Sequence, residues 1–488
     1  MRKTLATLAL AAAPVLVLSA CNGNAGGGSG VAALPNSGAP ASQHSRFHHN
    51  DNGPQDLHAG GATFPAQAYN GASQPVGTYN HPQAPPASGS LFAHYGGVGT
   101  IYYCLTGSGF GRKEFTGQSI TATQACAGLG DSPVGFGARQ DPLDFVGSDV
   151  AMTEGSQTTP GDCCASYSYY AINRAATYGQ PFEFPTLGGP IVFGYRPQDF
   201  PKVSIKLSTW TYCAIVNGTV NNWNDPAISA DNGQSVTGGV SQTITFYYRS
   251  DGSGTTYNLT SHLYAACNPG SWPAPYNTYP YQGSGRDASF PYQATQNWPI
   301  TTPSNFVGAS GNPGVLAGIQ STPYGTGYVE GAYAKVANPK VSQALLQSGY
   351  NNQANEPYWV SATNKSAVSA ALKHVTASAI SYGTASDYPT TPGSLNSSTP
   401  WCQLFVPYSV FALPPAKTYP IVGVTYMLFY GNNQGVHLSD KTTLVNYIIS
   451  KPAQNIIKSL EYAPLSSSIH GAVKAALTGT ASQPSCLQ

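Results

Sequence analysis

Residues 249–256 read RSDGSGTT, and they follow the run TITFYY at residues 243–248. β-branched and aromatic residues dominate that run, which predicts a buried strand. Residues 257–264 (YNLTSHLY) place apolar or aromatic side chains at helical spacing, so we expect a strand, a Gly/Ser turn and a helix. Gly252 and Gly254 allow the backbone to turn tightly and to approach a ligand. Because the first amides of a helix lack intrahelical partners, the stretch predicts an anion-binding position.

Three side chains of this stretch are suited to contact an oxyanion. Ser253 and Thr255 offer hydroxyl donors, and Arg249 offers a planar guanidinium. The same pattern is also typical of an ordinary capped helix, with Asp251 or Ser253 as the N-cap. From this stretch alone, both interpretations stand.

The composition describes a polar but nearly uncharged protein. Of the 488 residues only 8% are charged, and the formal net charge is +1. Nucleic-acid binding needs a basic face, so the composition argues against a broad nucleic-acid surface. The 32 tyrosines, 54 glycines and 39 prolines indicate a loop-rich chain that suits an exported protein. The length predicts two domains with a large core.

The N-terminus carries the features of an export signal. Arg2 and Lys3 precede an apolar run at residues 5–18, which is too short for an ordinary membrane-spanning helix. LSAC at residues 18–21 then resembles a bacterial lipobox, which implies cleavage before Cys21 and lipidation of its thiol. The alternative is an ordinary signal peptide that is cut nearby, with Cys21 incidental.

These features divide the start of the chain into two parts. We expect a signal peptide of the lipoprotein type at residues 1–20 and a flexible tether at residues 21–54, which is rich in Gly, Ala, Ser and Asn. The mature protein is then expected in the periplasm or at the cell surface, anchored to a membrane through its lipid.

Eight further cysteines indicate disulfide bonds, because their number is even and the compartment is oxidising. They are Cys104, Cys126, Cys163, Cys164, Cys213, Cys267, Cys402 and Cys486. No C-x-x-C pair with zinc spacing occurs, so a metal site is not expected. Cys163 and Cys164 are adjacent and are expected to bond to different partners.

Strands and helices are predicted to alternate along the chain, which indicates α/β architecture. Strands are predicted at residues 57–61, 101–105, 143–149, 184–195, 325–330 and 419–427. Helices are predicted at residues 207–218 and across residues 442–476. Two segments rich in Pro, Gly, Ser or Tyr, residues 71–92 and 268–304, are predicted to be an inserted loop and a long surface excursion.

Taken together, nine segments resemble the phosphate-binding protein of the high-affinity bacterial phosphate ABC transporter, and they occur in that family's order. They are AGGATFP (59–65), GSG (107–109), DFVGSD (144–149), FPT (184–186), NWNDPAI (222–228), RSDGSGTT (249–256), GYVE (327–330), YPI (419–421) and LEYAPL (460–465). The resemblance implies a type II periplasmic-binding-protein fold, with two α/β lobes joined by crossing strands and a ligand cleft between them. Carried over to this chain, lobe one is residues 55–188 plus 422–488, and lobe two is residues 189–421.

The resemblance also implies which residues bind phosphate. They are Thr63, Phe64, Ser108, Asp149, Arg249, Ser253, Gly254 and Thr255, and Asp251 supports Arg249. Asp149 is expected to accept the proton that phosphate keeps near neutral pH, whereas sulfate has no proton to offer. Cys213 and Cys267 further resemble the DING subgroup of phosphate-binding proteins, which implies a bridge between them. With that bridge made, the candidate partners of Cys163 and Cys164 are Cys104, Cys126, Cys402 and Cys486.

The expected function is that of an extracytoplasmic solute-binding lipoprotein. It captures inorganic phosphate and delivers it to the membrane permease of an ABC importer, as a monomer without cofactor, metal or nucleic acid. One alternative is a surface protein that keeps the fold for an interaction role, and another is a binder of a different oxyanion such as sulfate or arsenate. Catalysis is the third, but Ser253 lacks the G-x-S-x-G context, and His262 and His374 have no evident triad context.

Overall fold

In the part of the chain that the structure describes, the strands are short apart from two long ones that cross the middle of the sheet. The computed structural model describes residues 56–71, 86–116, 143–151, 178–268, 286–301, 303–348, 358–373, 375–382, 400–431 and 437–488. Within these ranges the strands are β1 (Leu57–Gly61), β2 (Ile101–Leu105), β3 (Phe145–Ser148), β4 (Pro181–Tyr195), β5 (Lys206–Leu207), β6 (Thr245–Arg249), β7 (Phe306–Ala309), β8 (Gly325–Glu330), β9 (Ser342–Gln343), β10 (Leu345–Gln347), β11 (Trp359–Val360), β12 (Ser381–Tyr382), β13 (Leu404–Phe405), β14 (Val422–Tyr430) and β15 (Ala463–Pro464).

Helices follow most of the parallel strands. In the described ranges they are α1 (Ala66–Tyr69), α2 (Ser108–Thr116), α3 (Thr209–Val216), α4 (Pro226–Asn232), α5 (Gly254–Ala266), α6 (Gly311–Ser321), α7 (Gly331–Val336), α8 (Lys365–Leu372), α9 (Tyr408–Phe411), α10 (Leu438–Ile448), α11 (Lys451–Ser459) and α12 (Ser467–Thr478).

One sheet runs through the molecule in the order β2-β1-β3-β14-β4-β8-β6-β7. The three strands β1, β2 and β3 are parallel to one another, and we call them the first sheet half. The three strands β6, β7 and β8 are also parallel, and we call them the second sheet half. The antiparallel pair β4 and β14 lies between the halves and joins them.

The long strand β4 is buried along its whole length, which explains its continuous apolar sequence. Its partner β14 is likewise buried at every position. Phe182 and Phe184 of β4 pack against Phe429 of β14. Burial on both faces is typical of strands that are covered by helices, and it fixes the joint between the two sheet halves.

The tight turn after β1 depends on a glycine. Gly61 has a φ of +121°, and a Cβ atom at this position would lie 2.2 Å from the carbonyl oxygen of Gly147 on β3. No side chain fits at that distance, so the turn between Gly61 and Thr63 requires glycine. This turn brings residues 62–64 to the carboxyl end of the first sheet half.

Most of the predicted elements are confirmed. The strands predicted around residues 57–61, 101–105, 184–195, 325–330 and 419–427 correspond to β1, β2, β4, β8 and β14, and helices α10 to α12 fill the predicted helical tail. The helix predicted from residue 207 begins two residues later, because Lys206 and Leu207 form β5. Ser208 then caps α3 by accepting a hydrogen bond from the Thr211 amide.

Two predictions need correction. Part of the predicted surface excursion at 268–304 packs into the core, since Phe290 is 0% and Trp298 is 6% exposed. Both rings contact each other, and the tryptophan also contacts Tyr328 of β8. Aromatic residues in a proline-rich segment are therefore core side chains here, although they belong to no regular element.

The second correction concerns the disulfides. Cys402 and Cys486 were candidate partners of Cys163 and Cys164, but they pair with each other. That part of the prediction is wrong. The Cys213–Cys267 bridge is confirmed, and it links the middle of α3 to the C-cap of α5. Cys21, Cys126, Cys163 and Cys164 lie outside the described residues, as do the predicted signal peptide and tether.

Candidate functional site

The carboxyl ends of both sheet halves meet around one buried cluster. From the first half come Thr63 and Phe64 after β1, Ser108 at the start of α2, and Asp149 directly after β3. The second half contributes the RSDGSGTT segment, which spans the end of β6 and the start of α5. All of the residues predicted to bind phosphate are buried, namely Thr63, Phe64, Ser108, Asp149, Arg249, Ser253, Gly254 and Thr255.

Direct contacts join the two sides of this cluster. The Gly109 amide donates to the carbonyl oxygen of Gly252 at 2.8 Å. The Asn258 side chain donates to the carbonyl oxygen of Asp149 at 3.2 Å. A Cβ atom on Gly254 would lie 2.5 Å from the Ser108 hydroxyl and 2.5 Å from the Asp149 Cβ. Only glycine therefore allows the start of α5 to approach the first sheet half this closely.

Arg249 is held by a carboxylate on its own segment. Its Nε donates to Asp251 Oδ1 at 2.7 Å, and its Nη2 pairs with Asp251 Oδ2. The remaining nitrogen, Nη1, is directed to Thr255 Oγ1 at 3.4 Å. Asp251 also accepts from the Gly311 amide at 2.9 Å. The supporting geometry expected of Asp251 is therefore present.

The sequence left open whether Ser253 caps a helix or donates to an oxyanion, and the structure allows it to do both. It is the N-cap of α5, and its Oγ accepts a hydrogen bond from the Thr256 amide at 3.1 Å. A hydroxyl has one hydrogen to donate in addition to its lone pairs. Capping thus uses one lone pair of the Ser253 oxygen and leaves its hydrogen for another acceptor.

Three helices begin at this cluster. Ser108 is the first residue of α2, Gly254 the first of α5 and Gly311 the first of α6. Helix N-termini carry a partial positive charge and amides without intrahelical partners. The cluster therefore provides a positive potential for an anion, and most of that potential comes from helix N-termini rather than from charged side chains.

Asp149 is a buried carboxyl among neutral donors. Thr425 of β14 donates to its Oδ1 at 2.8 Å, and Ser108 donates to its Oδ2 at 3.4 Å. Burial raises the pKa of Asp149 to about 7, although the hydrogen bond from Thr425, the charge of Arg249 and the hydroxyls of Ser108 and Thr255 favour the ionised form. Asp149 therefore exchanges a proton close to neutral pH, which is suited to sharing a proton with a ligand.

A second buried carboxyl lies at the edge of the cluster. Glu330 accepts from the Tyr462 hydroxyl at 2.9 Å and from the Ala332 amide at 2.9 Å. Tyr462 also lies 2.7 Å from the carbonyl oxygen of Phe64. Burial raises the pKa of Glu330 to about 8, against these hydrogen bonds. Glu330 and Tyr462 thus connect β8 and the C-terminal segment to the turn after β1.

Sequence reasoning missed several residues of the cluster. Asn312, Thr425 and Tyr462 each contact a predicted site residue. Glu330 contacts two of these newly found residues, Asn312 and Tyr462. Asn312 follows a strand and a glycine at the start of a helix, which is the signal that identified RSDGSGTT. Thr425 is a hydroxyl inside an otherwise apolar buried strand, and such a residue usually has a hydrogen-bond partner to satisfy.

The described residues give no support to a metal centre or a catalytic histidine. They contain no group of three or more His, Cys, Asp or Glu side chains that could hold a metal ion. His262 contacts the Tyr212 hydroxyl and the Ala412 carbonyl oxygen, and burial lowers its pKa to about 4. His374 lies outside the described residues. Across the described ranges, every helix is too short or too polar to span a membrane.

Comparison with known families finds one match that covers well over half of the chain. Residues 103–451 match the family described as "PBP superfamily domain".

Two curated relatives illustrate the similarity in sequence. The Phosphate-binding protein PstS of Methanocaldococcus jannaschii is 28% identical over 264 residues, which cover 54% of this chain and 57% of the relative. The Phosphate-binding protein PstS 2 of Mycobacterium tuberculosis is 28% identical over 346 residues, or 70% of each chain. The chain thus spans only about half the length of several curated relatives that it matches.

Solved structures extend the similarity to the fold. A high-affinity periplasmic phosphate-binding protein, PfluDING, solved with bound phosphate, matches with a TM-score of 0.58 at 20% identity and covers 88% of this chain and 95% of its own. A phosphate-binding protein from Stenotrophomonas maltophilia matches with a TM-score of 0.53 at 21% identity and covers 86% of this chain and 93% of its own. These likenesses confirm the type II periplasmic-binding-protein fold.

Proposed function

The chain belongs to the PBP superfamily, and from this premise we propose that it is an extracytoplasmic solute-binding protein for inorganic phosphate. The protein captures one phosphate ion between the two halves of its sheet and delivers it to the permease of an ABC importer. The relatives in Methanocaldococcus and Mycobacterium are named as phosphate-binding proteins, which supports the same ligand here.

One observation carries the proposal more than any other. The N-termini of α2, α5 and α6 and the hydroxyls of Thr63, Ser108, Ser253 and Thr255 surround Asp149 and the Arg249–Asp251 pair in one buried cluster. Neutral donors at helix N-termini suit an oxyanion, and the Asp149 carboxyl among them suits an oxyanion that still carries a proton. Inorganic phosphate near neutral pH has both properties.

The magnitudes are compatible with tight binding. A hydrogen bond to a charged group contributes about 1.5–3 kcal/mol net. Several such bonds, less the cost of ordering and closure, are compatible with a micromolar dissociation constant or better, which corresponds to about −8 kcal/mol. The donors come from both sheet halves, so the ion enters when the halves separate and is enclosed when they close.

Asp149 provides the selectivity in this proposal. Ionised Asp149 accepts the proton of phosphate, whereas sulfate leaves the carboxylate facing unprotonated oxygens. A site built around a polar partner rejects an analogue that lacks it by about 10⁴–10⁵-fold. The ion is bound and released unchanged, without covalent chemistry.

Calorimetric titration of the full-length, ligand-stripped protein with phosphate tests the proposal. We expect one phosphate per chain with micromolar or tighter affinity, and the same ion recovered after release. Failure to bind phosphate would contradict the proposal and favour an interaction role for the fold. Tighter binding of sulfate than of phosphate would contradict it in favour of a different oxyanion.

Membrane anchoring is a separate part of the proposal. Cys21 lies outside the described residues, and its lipidation follows from the LSAC motif alone. Mass spectrometry of the mature N-terminus is expected to find residue 21 first, with lipid attached. A mature protein that begins elsewhere and lacks lipid would contradict the anchor but not the phosphate site.

A further inference from the structure

Asn312 joins the two sheet halves at the centre of the site. It is the second residue of α6 and is 0% exposed. Its Nδ2 donates to Thr63 Oγ1 at 3.1 Å, on the first half, and to Thr255 Oγ1 at 3.4 Å, on the second half. The two hydroxyls that would face the anion from opposite sides therefore share one amide group.

The orientation of this amide is fixed by the backbone. The Glu330 N–H donates to Asn312 Oδ1 at 3.2 Å. A backbone N–H can only donate, so the oxygen of the Asn312 amide must face Glu330. The NH₂ group then faces the two threonine oxygens.

Each of these threonine oxygens accepts hydrogen bonds from two donors. Thr63 Oγ1 accepts from the Nδ2 and from the backbone amide of Asn312, the latter at 3.3 Å. Thr255 Oγ1 accepts from Asn312 Nδ2 and from Arg249 Nη1, both at 3.4 Å. A hydroxyl has two lone pairs and one hydrogen, so each threonine is left with only a hydrogen to offer.

We propose that Asn312 is a positioning residue that fixes Thr63 and Thr255 as donors toward the bound anion and so restricts the ligand's protonation state. This inference rests on the phosphate-binding function proposed above. Neither threonine can accept a proton from the ligand while Asn312 donates to it. A ligand O–H is thereby directed to Asp149. A second O–H on the ligand would face a threonine hydrogen and would find no acceptor.

Two substitutions test this role by phosphate titration at pH 8.5 and pH 5.5. Asn312→Asp replaces the donor with an acceptor and adds a charge, so we expect phosphate affinity at pH 8.5 to fall by about 1,000-fold or more. Asn312→Ala frees one lone pair on each hydroxyl, so that each can accept as well as donate. We expect its loss to be about 30-fold at pH 8.5 but only about 5-fold at pH 5.5, where phosphate carries an additional proton that the freed hydroxyls can accept.

A double-mutant cycle with Thr63→Ala shows whether Asn312 acts through the Thr63 hydroxyl or only stabilises the fold around the site. If Asn312 acts through the Thr63 hydroxyl, Thr63→Ala weakens phosphate binding less in the Asn312→Ala background than in the wild-type background. Equal losses in both backgrounds would overturn the inference.

Asn70→Ala is the matched control. Asn70 is also 0% exposed, and its Nδ2 donates to the Tyr103 carbonyl oxygen at 3.0 Å, outside the cluster. We expect this variant to lose stability without a pH-dependent change in phosphate affinity. An equal loss at both pH values for Asn312→Ala, as for a general structural defect, would overturn the inference.

A measurement on the wild type keeps the inference testable if the variants do not fold. We expect the side-chain amide signal of Asn312 in ¹H–¹⁵N spectra to shift when phosphate is added, because the anion polarises the two hydroxyls that the amide contacts. An unchanged signal in a protein that binds phosphate would overturn this inference alone. A wild-type protein that does not bind phosphate would overturn the proposed function instead.

Discussion

The two ends of strand β3 carry buried carboxyls with opposite properties. Asp144 precedes the strand and lies 3.2 Å from the ammonium of Lys441 and 2.8 Å from the ring of His437. Burial opposes its ionisation, but Lys441, His437 and the His58 amide outweigh burial and hold the pKa of Asp144 below its usual range. Asp149 follows the strand, has hydroxyl donors, and has its pKa raised to about 7.

The contrast separates a structural carboxylate from a functional one. Asp144 has the Lys441 ammonium and the His437 ring beside it, so it remains charged and ties β3 to α10. Asp149 faces neutral donors, so it remains able to exchange a proton with a ligand. Burial alone does not identify a site, since Asp144 and Asp149 are each 2% exposed. The chemistry of the neighbours distinguishes them.

Removal of the cation beside Asp144 is expected to have the largest effect. Lys441→Met leaves a buried carboxylate without that partner, so we expect the free energy of unfolding to fall by about 3 kcal/mol or more. Phosphate affinity of the folded variant should remain near that of the wild type. Chemical denaturation and calorimetry measure both quantities.

The matched control for that variant is Lys451→Met, at an exposed position at the start of α11. We expect a change within about 0.5 kcal/mol. If Lys441→Met behaved like Lys451→Met, the ion-paired role of Asp144 would be wrong.

At the other end of the strand, Asp149→Asn is expected to change selectivity rather than folding. The amide can donate to an unprotonated oxygen, so discrimination of phosphate against sulfate should fall by about 100-fold or more at pH 8. Competition titration measures this ratio. Unchanged selectivity would refute the role of Asp149 as the acceptor of the ligand's proton.

The two ends of β3 also predict opposite pH dependences of stability. A carboxyl whose pKa is higher in the folded protein than in the unfolded protein stabilises the fold at low pH. This stabilisation is complete below the pKa of the unfolded state, near pH 4, and is lost as the pH rises through the pKa of the folded state. Asp149 and Glu330, with pKa values of about 7 and 8, should therefore make the ligand-free protein more stable at pH 5 than at pH 9. Asp144, with its lowered pKa, contributes stability that is lost only in strong acid.

Thermal unfolding of the ligand-free protein between pH 5 and pH 9 checks these signs. Across this range Asp149 accounts for about 3 kcal/mol and Glu330 for about 4 kcal/mol. Asp149→Asn and Glu330→Gln should each reduce the slope, whereas Asp144→Asn should not. A wild-type protein that becomes more stable toward pH 9 would show that the carboxyls at the site are not neutralised by burial.

The smallest expected effect concerns the contact between Glu330 and the turn after β1. Tyr462→Phe removes the hydroxyl that lies within hydrogen-bond distance of Phe64 and Glu330. We expect a loss of about 1 kcal/mol in stability and only a few-fold loss in phosphate affinity. A loss of affinity as large as that of Asn312→Asp would mean that Tyr462 orients the ligand directly.

Much of the site could be predicted because its residues lie in local patterns. RSDGSGTT combines a strand, a tight turn and a helix start, and each of these has a signal within a few residues. Asp149 lacks such a signal, because a carboxylate after a strand is equally typical of a cap. Its raised pKa depends on burial by β14 and α5, which are distant in sequence.

The other residues of the site could not be predicted because their contacts also come from segments that are distant in sequence. Thr425 is a single hydroxyl in the middle of β14, and only the register with β3 brings it to Asp149. Asn312 lies in a local strand–glycine–helix pattern, but its role becomes visible only when Thr63 and Thr255 are placed on either side of it. The Cys402–Cys486 pairing likewise depends on chain segments that meet in space. The lobe boundaries at residues 188/189 and 421/422 remain predictions, although β4 and β14 cross near both positions.

Sulfate titration at two pH values tests the central claim most directly. At pH 8 Asp149 is mostly ionised, so sulfate should bind at least about 100-fold more weakly than phosphate. At pH 5.5 Asp149 is protonated and can donate to sulfate, so the affinity for sulfate should rise markedly in the wild type but not in Asp149→Asn. Sulfate binding as tight as phosphate binding at pH 8, with no dependence on pH, would contradict the account.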